Sequence, residues 1–217
     1  MNDVVTVLAA SGPLASGWAA HGVLLRRRLS AARRDPLSGL PTRAAFERRA
    51  TRALARGPHA VLVLDLDGFK ALNDTFGHAA GDEAIRATAA SLTDALSGRR
   101  GSATARLGGD EFAAVVPLPD PVSLPWLLRG LHDEVTAPFT YRGRTLAVGA
   151  SVGACLTAEL PSPSLSLALR RADEAMYAAK RSGGGWRVAD GPALAHTTTA
   201  GRRTGRRGTG GAGREAA

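Results

Sequence analysis

Residues 35–190 predict an α+β fold, a mixed central β-sheet flanked by helices. Three observations carry this. His59 to Leu66 is an almost unbroken aliphatic run, the mark of a strand buried on both faces. Residues 103–116 place two short apolar runs around Gly108-Gly109-Asp110-Glu111. That is the pattern of a β-hairpin whose glycines supply the positive φ angles of a tight turn. Four longer stretches repeat their apolar residues with the period of amphipathic helices. A chain of 217 residues accommodates one domain of this size plus tails.

Taken in order, residues 4–25 carry no charged side chain and are followed by Arg26-Arg27-Arg28, then Arg33 and Arg34. As a helix the uncharged stretch would span roughly 33 Å, enough for a bilayer core. The arginines would then keep the following domain on the cytoplasmic side. Gly12, Pro13, Gly17 and His21 make the stretch only moderately apolar, so two readings stand: a membrane anchor, or an amphipathic or buried helix. Residues 25–32 suggest a short Arg-rich stalk, and 1–34 form one N-terminal unit. Asp35 to Arg43 is rich in turn formers. Thr42 is placed to cap a helix running to about Arg56, with Phe46, Ala50 and Leu54 on one face.

The strand from His59 to Asp67 ends in Asp65 and Asp67. Carboxylates at the end of a buried strand are costly unless they are paired, hydrogen-bonded or metal-bound. Capping of the next helix is the competing reading. A short helix over about 69–75 should break at Gly77, and a second should start near Ala80–Asp82 and run to Leu96. Its apolar face is Ile85, Ala89, Leu92 and Leu96. Residues 122–136 predict a helix with Trp126, Leu127, Leu128 and Leu131 in the core. Strands are expected near 138–142 and 144–157. A helix from about Leu165 to Arg181 presents Leu165, Leu169, Ala172, Met176 and Ala179, and Trp186 to Val188 closes the domain as an edge strand. Residues 191–217 are Gly- and Arg-rich without apolar periodicity, and are expected to be a disordered tail.

The net charge of +9 resembles a nucleic-acid signal. Its distribution argues against one. Residues 1–34 carry +4 and residues 202–217 carry +4, leaving 35–201 at +1. No nucleic-acid partner is expected for so neutral a body. The single cysteine, Cys155, excludes an intrachain disulfide, and no His or Cys cluster has zinc spacing. Of 28 basic residues only Lys70 and Lys180 are lysine. A lysine ammonium is a compact charge suited to a phosphate oxygen.

Arg106 to Phe112 resembles the signature of the GGDEF family, the diguanylate cyclases, with Gly108, Gly109, Asp110, Glu111 and Phe112 intact. The opening segment from Asp35 to Arg43 is similar to the one that begins these domains, with Ser38 where Thr is usual and Thr42 where Asn is usual. Gly68 to Asp82 and Ala172 to Lys180 resemble two further motifs of the family. Together the matches cover residues 35 to about 188.

The resemblance implies a palm-like sheet shared with class III nucleotide cyclases. It also implies an enzyme that joins two GTP molecules into cyclic di-GMP, releasing pyrophosphate, across a homodimer interface. Asp65, the Leu66 carbonyl and Asp110 correspond to ligands of Mg²⁺ or Mn²⁺, and Glu111 to the group assisting deprotonation of the ribose hydroxyl. Phe69, Lys70 and Lys180 correspond to triphosphate contacts, Asn73 and Asp82 to the pair that reads guanine, and His78 to the pocket wall. Asp82 as a plain helix cap is the alternative.

Two departures matter. Gly184 stands where the family often has an arginine. Arg99-Arg100-Gly101-Ser102 keeps the Arg but lacks the Asp of the family's inhibitory product site, which is therefore expected to be degenerate, with Arg99 alone. A catalytically weak or inactive GTP-binding regulatory module is the second functional reading.

Overall fold

The computed structural model describes residues 33–190. Residues 4–25 and the tail from 191 lie outside them. The chain runs α1 (Arg43–Leu54), β1 (His59–Asp67), α2 (Phe69–Phe76), α3 (His78–Leu96), β2 (Ala103–Gly108), β3 (Glu111–Pro117), α4 (Leu124–Val135), β4 (Phe139–Tyr141), β5 (Arg144–Leu146), β6 (Gly149–Leu156), α5 (Leu165–Arg181) and β7 (Gly185–Val188). Five strands form one sheet in the order β2-β3-β1-β6-β7. β1 is central and antiparallel to both neighbours, while β7 runs parallel to β6 at the edge. The sheet is mixed and flanked by helices, as the sequence predicts.

Alternation along β1 explains the two layers. Ala60, Leu62, Leu64 and Leu66 join Phe112, Ala114, Val116, Val152 and Ala154 in one cluster, which α3 and α4 cover. Val61 and Val63 join Ala113, Val115 and Cys155 in a second cluster, covered by Phe46, Ala50 and Leu54 of α1 and Ala168, Ala172 and Met176 of α5. The period of two assigns every residue of β1 to a helix layer. Val61 and Val63 are followed on their face by Asp65 and Asp67, so both carboxylates emerge on the side of α1 and α5.

Gly153 sets the distance between sheet and helix there. A Cβ on Gly153 would lie 1.9 Å from the Ala172 carbonyl oxygen and 2.2 Å from the Met176 nitrogen. α5 therefore rests directly on the backbone of β6. Cys155 is buried in the same layer, and loss of solvent raises its thiol pKa to about 11, so it stays un-ionised.

Four sequence expectations need correction. Trp126 is 75% exposed rather than part of the core. α4 buries Leu124, Leu127, Leu128, Leu131 and Val135, a stripe at helical spacing that leaves Trp126 on the opposite side. The expected strand 144–157 is two strands. Arg144–Leu146 folds back on Phe139–Tyr141 as a ribbon, and only Gly149–Leu156 joins the main sheet. Arg142 and Gly143, both at positive φ, make the ribbon's turn. α3 begins at His78, not near Ala80–Asp82. The positive φ of 83° at Gly77 confines the break to one residue. Finally, Thr42 precedes α1 but makes no side-chain cap hydrogen bond.

Candidate functional site

The site lies at the end of β1. In register, Asp65 faces Glu111 of β3 on one side and Ser151 of β6 on the other. Directly opposed residues of antiparallel strands share a face. Glu111, Asp65 and Ser151 therefore form a polar row across three strands, at the margin of the α1/α5 layer. Two residues further on, Asp67 accepts hydrogen bonds from the Ser151 hydroxyl, at 2.9 Å to each carboxylate oxygen. Asp67 is thus held by the sheet rather than capping α2.

The hairpin tip sits beside this row. The Leu66 N–H donates to the Asp110 carbonyl oxygen at 3.3 Å, which fixes the end of β1 against the turn. Gly108 and Gly109 both have positive φ, of 145° and 55°. The pairing register shifts between Arg106 and Gly108, a bulge that re-aims the turn. Both glycines act here as the hairpin reading requires.

Electrostatics report the proximity of the acids. Burial raises the Asp110 carboxyl above its ordinary value, and the Asp65 charge raises it further against the pull of Lys180 and Arg106. Glu111 is raised by burial, then by Asp65, Asp173 and Asp110, with Arg43 opposing. Lys180, in the last turn of α5, makes an ion pair with Asp65. Burial would lower its pKa, but the hydrogen bond to Asp65 and the charges of Asp65, Asp67 and Asp110 leave it raised. Three acids thus crowd around one ammonium, an arrangement that would accept a further cation.

Among the described residues, no group of three or more His, Cys, Asp or Glu side chains is placed to hold a metal by itself. The set that the family resemblance implies, the Asp65 and Asp110 carboxylates with the Leu66 carbonyl, is sparser. Such a hard-oxygen set fits Mg²⁺ or Mn²⁺, which keep water and substrate oxygens in their coordination shell. The excess negative charge at Asp65 and Asp110 fits it too.

The remaining candidates flank this cluster. Phe69 starts α2 and packs, partly buried, against the core. Lys70 is exposed and pairs with Asp74 one turn along its own helix, so its ammonium is not among the acids of the row. Asn73 is half-buried on α2, its amide against Gly81 of α3. His78 opens α3 and is exposed, while Asp82 is partly buried. Arg99 is exposed; the Ser102 hydroxyl is buried with no hydrogen-bond partner among the described residues.

Sequence reasoning missed several supporting residues. The Arg106 Nε donates to the Gly109 carbonyl oxygen at 2.9 Å, and its Nη1 donates to Asp35 Oδ1 at 3.0 Å. Asp35 also accepts from the Ser38 N–H and hydroxyl, at 2.8 and 2.7 Å. The opening turn and the hairpin tip are therefore joined by one guanidinium. Asp35 and Arg106 lie 71 positions apart in the sequence, and no local pattern announces the pair. The Asp67–Ser151 contact was likewise invisible, although both belong to strands that the sequence placed.

An acidic hairpin seated at the end of the middle strand of a mixed, helix-flanked sheet is the arrangement that the resemblance to the GGDEF family implies. Residues 32–185 match the family model described as "Diguanylate cyclase, GGDEF domain", and the chain belongs to the GGDEF family. It is 54% identical over 165 residues to an uncharacterized 19.3 kDa protein in the repSA 5′ region of Streptomyces ambofaciens, covering 76% of this chain and 87% of that protein. It is 38% identical over 155 residues to the diguanylate cyclase DgcP of Pseudomonas aeruginosa. That match covers 69% of this chain but only 22% of DgcP's length. Among solved structures, the GGDEF domain of TpbB from Pseudomonas aeruginosa superposes with a TM-score of 0.67 at 37% identity, covering 72% of this chain and 94% of that one. The coiled coil and GGDEF domain of DgcB from Caulobacter crescentus, in complex with c-di-GMP, superposes with a TM-score of 0.70 at 30% identity, covering 86% and 98%.

Proposed function

We propose that this chain is a diguanylate cyclase that condenses two GTP molecules into cyclic di-GMP and releases pyrophosphate. The observation that carries the reading is the polar row at the end of β1, with Asp110 at its side and Lys180 against it. Each protomer of a homodimer holds one GTP. The 3′-oxygen of one ribose bonds to the α-phosphorus of the other GTP as the bond from that phosphorus to the bridging oxygen breaks. Two such events close the ring.

Glu111 takes the hydroxyl proton. Its raised pKa brings this carboxylate closer to the neutral range in which a general base works best. Lys180 leaves Asp65 to meet the triphosphate, and Lys70 and the start of α2 near Phe69 bind its outer oxygens. Asp65, the Leu66 carbonyl and Asp110 would hold Mg²⁺ or Mn²⁺, which supplies charge neutralisation at the phosphates and acidifies the attacking hydroxyl. Asn73 and Asp82 read the base and His78 lines the wall. A GTP substrate puts the domain in the cytoplasm, with residues 4–25 as a candidate anchor to the membrane's inner face.

The test is the full chain with GTP and Mg²⁺, assayed for cyclic di-GMP. Product formation that disappears in Asp110→Ala and in Glu111→Ala, with both variants folded, is the expected result. GTP binding without product would favour the second reading, a regulatory GTP-binding module. Gly184 is the specific feature behind that reading, since it offers no side chain to the phosphates.

A further inference from the structure

α2 and α3 meet at an angle set by one glycine between them, Gly77. Its N–H closes the end of α2 on the Asn73 carbonyl at 2.8 Å, and its own carbonyl accepts from Ala80 at 3.0 Å. The helices therefore cannot spread apart at this point without losing backbone bonds. Leu72, Ala80, Ala84 and Leu146 lock the junction from below as a small buried cluster. Asn73 adjoins Leu72, so its position along the junction is fixed by that packing.

Gly81 stands on the facing turn of α3 and is buried. A Cβ added there would lie 2.1 Å from Asn73 Oδ1, 2.9 Å from Cγ and 3.1 Å from Nδ2. All three atoms belong to the Asn73 amide, and none belongs to backbone. Nothing in the geometry of α3 itself calls for glycine: the residue is helical, and alanine is about 1 kcal/mol better there on intrinsic propensity. The glycine is explained by the amide that occupies the place of its missing side chain.

We propose that Gly81 is a specificity-determining position: by leaving α3 bare where it faces α2, it seats the Asn73 amide for reading the purine base. This rests on the assignment of Asn73 and Asp82 as the base-reading pair. Gly81 acts through Asn73 and is a positioning residue. Because Asn73 is a short, rotatable side chain, a methyl group at position 81 turns the amide aside while the helices stay in place. The base then loses its partner, and Asp82, the next residue on α3, is left to bind guanine alone. A purine lacking guanine's pattern of donors has little to lose from the same change.

The experiment uses the full chain and calorimetric titration with the α,β-methylene analogues of GTP and ATP, which cannot be cyclised. Gly81→Ala, Asn73→Ala and the double variant are compared with the parent. Each single variant should lose about tenfold in affinity for the guanine nucleotide, the equivalent of one neutral hydrogen bond. The adenine nucleotide should be unaffected, and the double variant should lose no more than either single one. Gly81→Ala should melt no lower than the parent, because the alanine favours the helix. If Asn73→Ala loses guanine affinity but Gly81→Ala keeps it, the proposal falls and the base-reading assignment stands. If Asn73→Ala changes nothing, that assignment fails and the proposal with it. Equal weakening of both nucleotides by Gly81→Ala, or a lower melting temperature, would mark Gly81 as a packing residue and overturn the proposal.

Discussion

Asp110 and Glu111 are held at higher pKa than free carboxylates, so their charges at neutral pH work against folding. That cost is relieved as pH falls from the raised folded value to the unfolded one. Asp110→Asn should accordingly raise the melting temperature at pH 7 while abolishing cyclic di-GMP formation, and a thermal melt paired with a product assay checks both. Asp35 behaves oppositely. Burial would raise it, but the two bonds from Ser38 and the Arg106 guanidinium hold it below its ordinary 3.8. Its contribution is complete above about pH 4 and is lost as pH falls through the lower folded value. Asp35→Asn should thus flatten the acid limb of the stability curve and leave the neutral-pH slope unchanged. Arg106 is only 14% exposed, and Arg106→Ala should cost about 1–3 kcal/mol in denaturant unfolding. Arg106→Lys keeps the charge but not the planar fork that spans Asp35 and Gly109. It should recover most of the stability and little of the turnover.

At the scale of elements, the sequence was most legible where one periodicity ran uninterrupted. β1, the hairpin, α1 and α5 all appear where apolar spacing puts them, and their buried faces follow the predicted residues. Legibility failed where two elements share a stretch or where a stripe has two plausible edges. Trp126 adjoins three buried leucines in sequence, and only the angular position around α4 excludes it. Residues 144–157 are continuously strand-like, yet the ribbon turn at Arg142-Gly143 takes the first three for a separate sheet. In the site, the carboxylates and the glycine turn could be found from sequence because they are contiguous or end a strand. The ties of Arg106, Ser151 and Gly81 could not, because each joins residues through the folded chain. Close approach at Gly153 is another such tie. Gly153→Ala would drive a methyl group into the α5 backbone and should cost about 3 kcal/mol or more, read by chemical denaturation. Gly184 also has a conformational role. Its φ is 98°, and a Cβ there would lie 2.9 Å from Asp67 Oδ2. Installing an arginine at this position would therefore strain the turn before it could reach a phosphate.

For the whole molecule, charge and covering are unevenly distributed. Most of the basic excess lies at the two ends of the sequence, in residues 1–34 and 202–217, and the stretch 35–201 that carries the site is nearly neutral. Among the described residues no helix is long and apolar enough to cross a membrane. The Ser102 hydroxyl, at the position where the family's inhibitory site carries Asp, is buried with no hydrogen-bond partner among the described residues. Cyclic di-GMP added at tens of micromolar should leave the initial rate within about twofold of the uninhibited value, since a serine hydroxyl does not replace a carboxylate that accepts from two guanine donors at once. Strong inhibition lost in Arg99→Ala would contradict this. The guanidinium of Arg106 has a consequence at this scale as well. It is held at one end by the Asp35–Ser38 turn and at the other by the Gly109 carbonyl that precedes Asp110. A ribosome releases Asp35 long before Arg106, so the acid cluster cannot be assembled until the hairpin has emerged and closed back on the chain's opening. Assembly of the acid cluster is in this way deferred until the hairpin has been made, and a cut that freed residues 35–40 would remove the Asp35 end of the tie without touching a single carboxylate of the row.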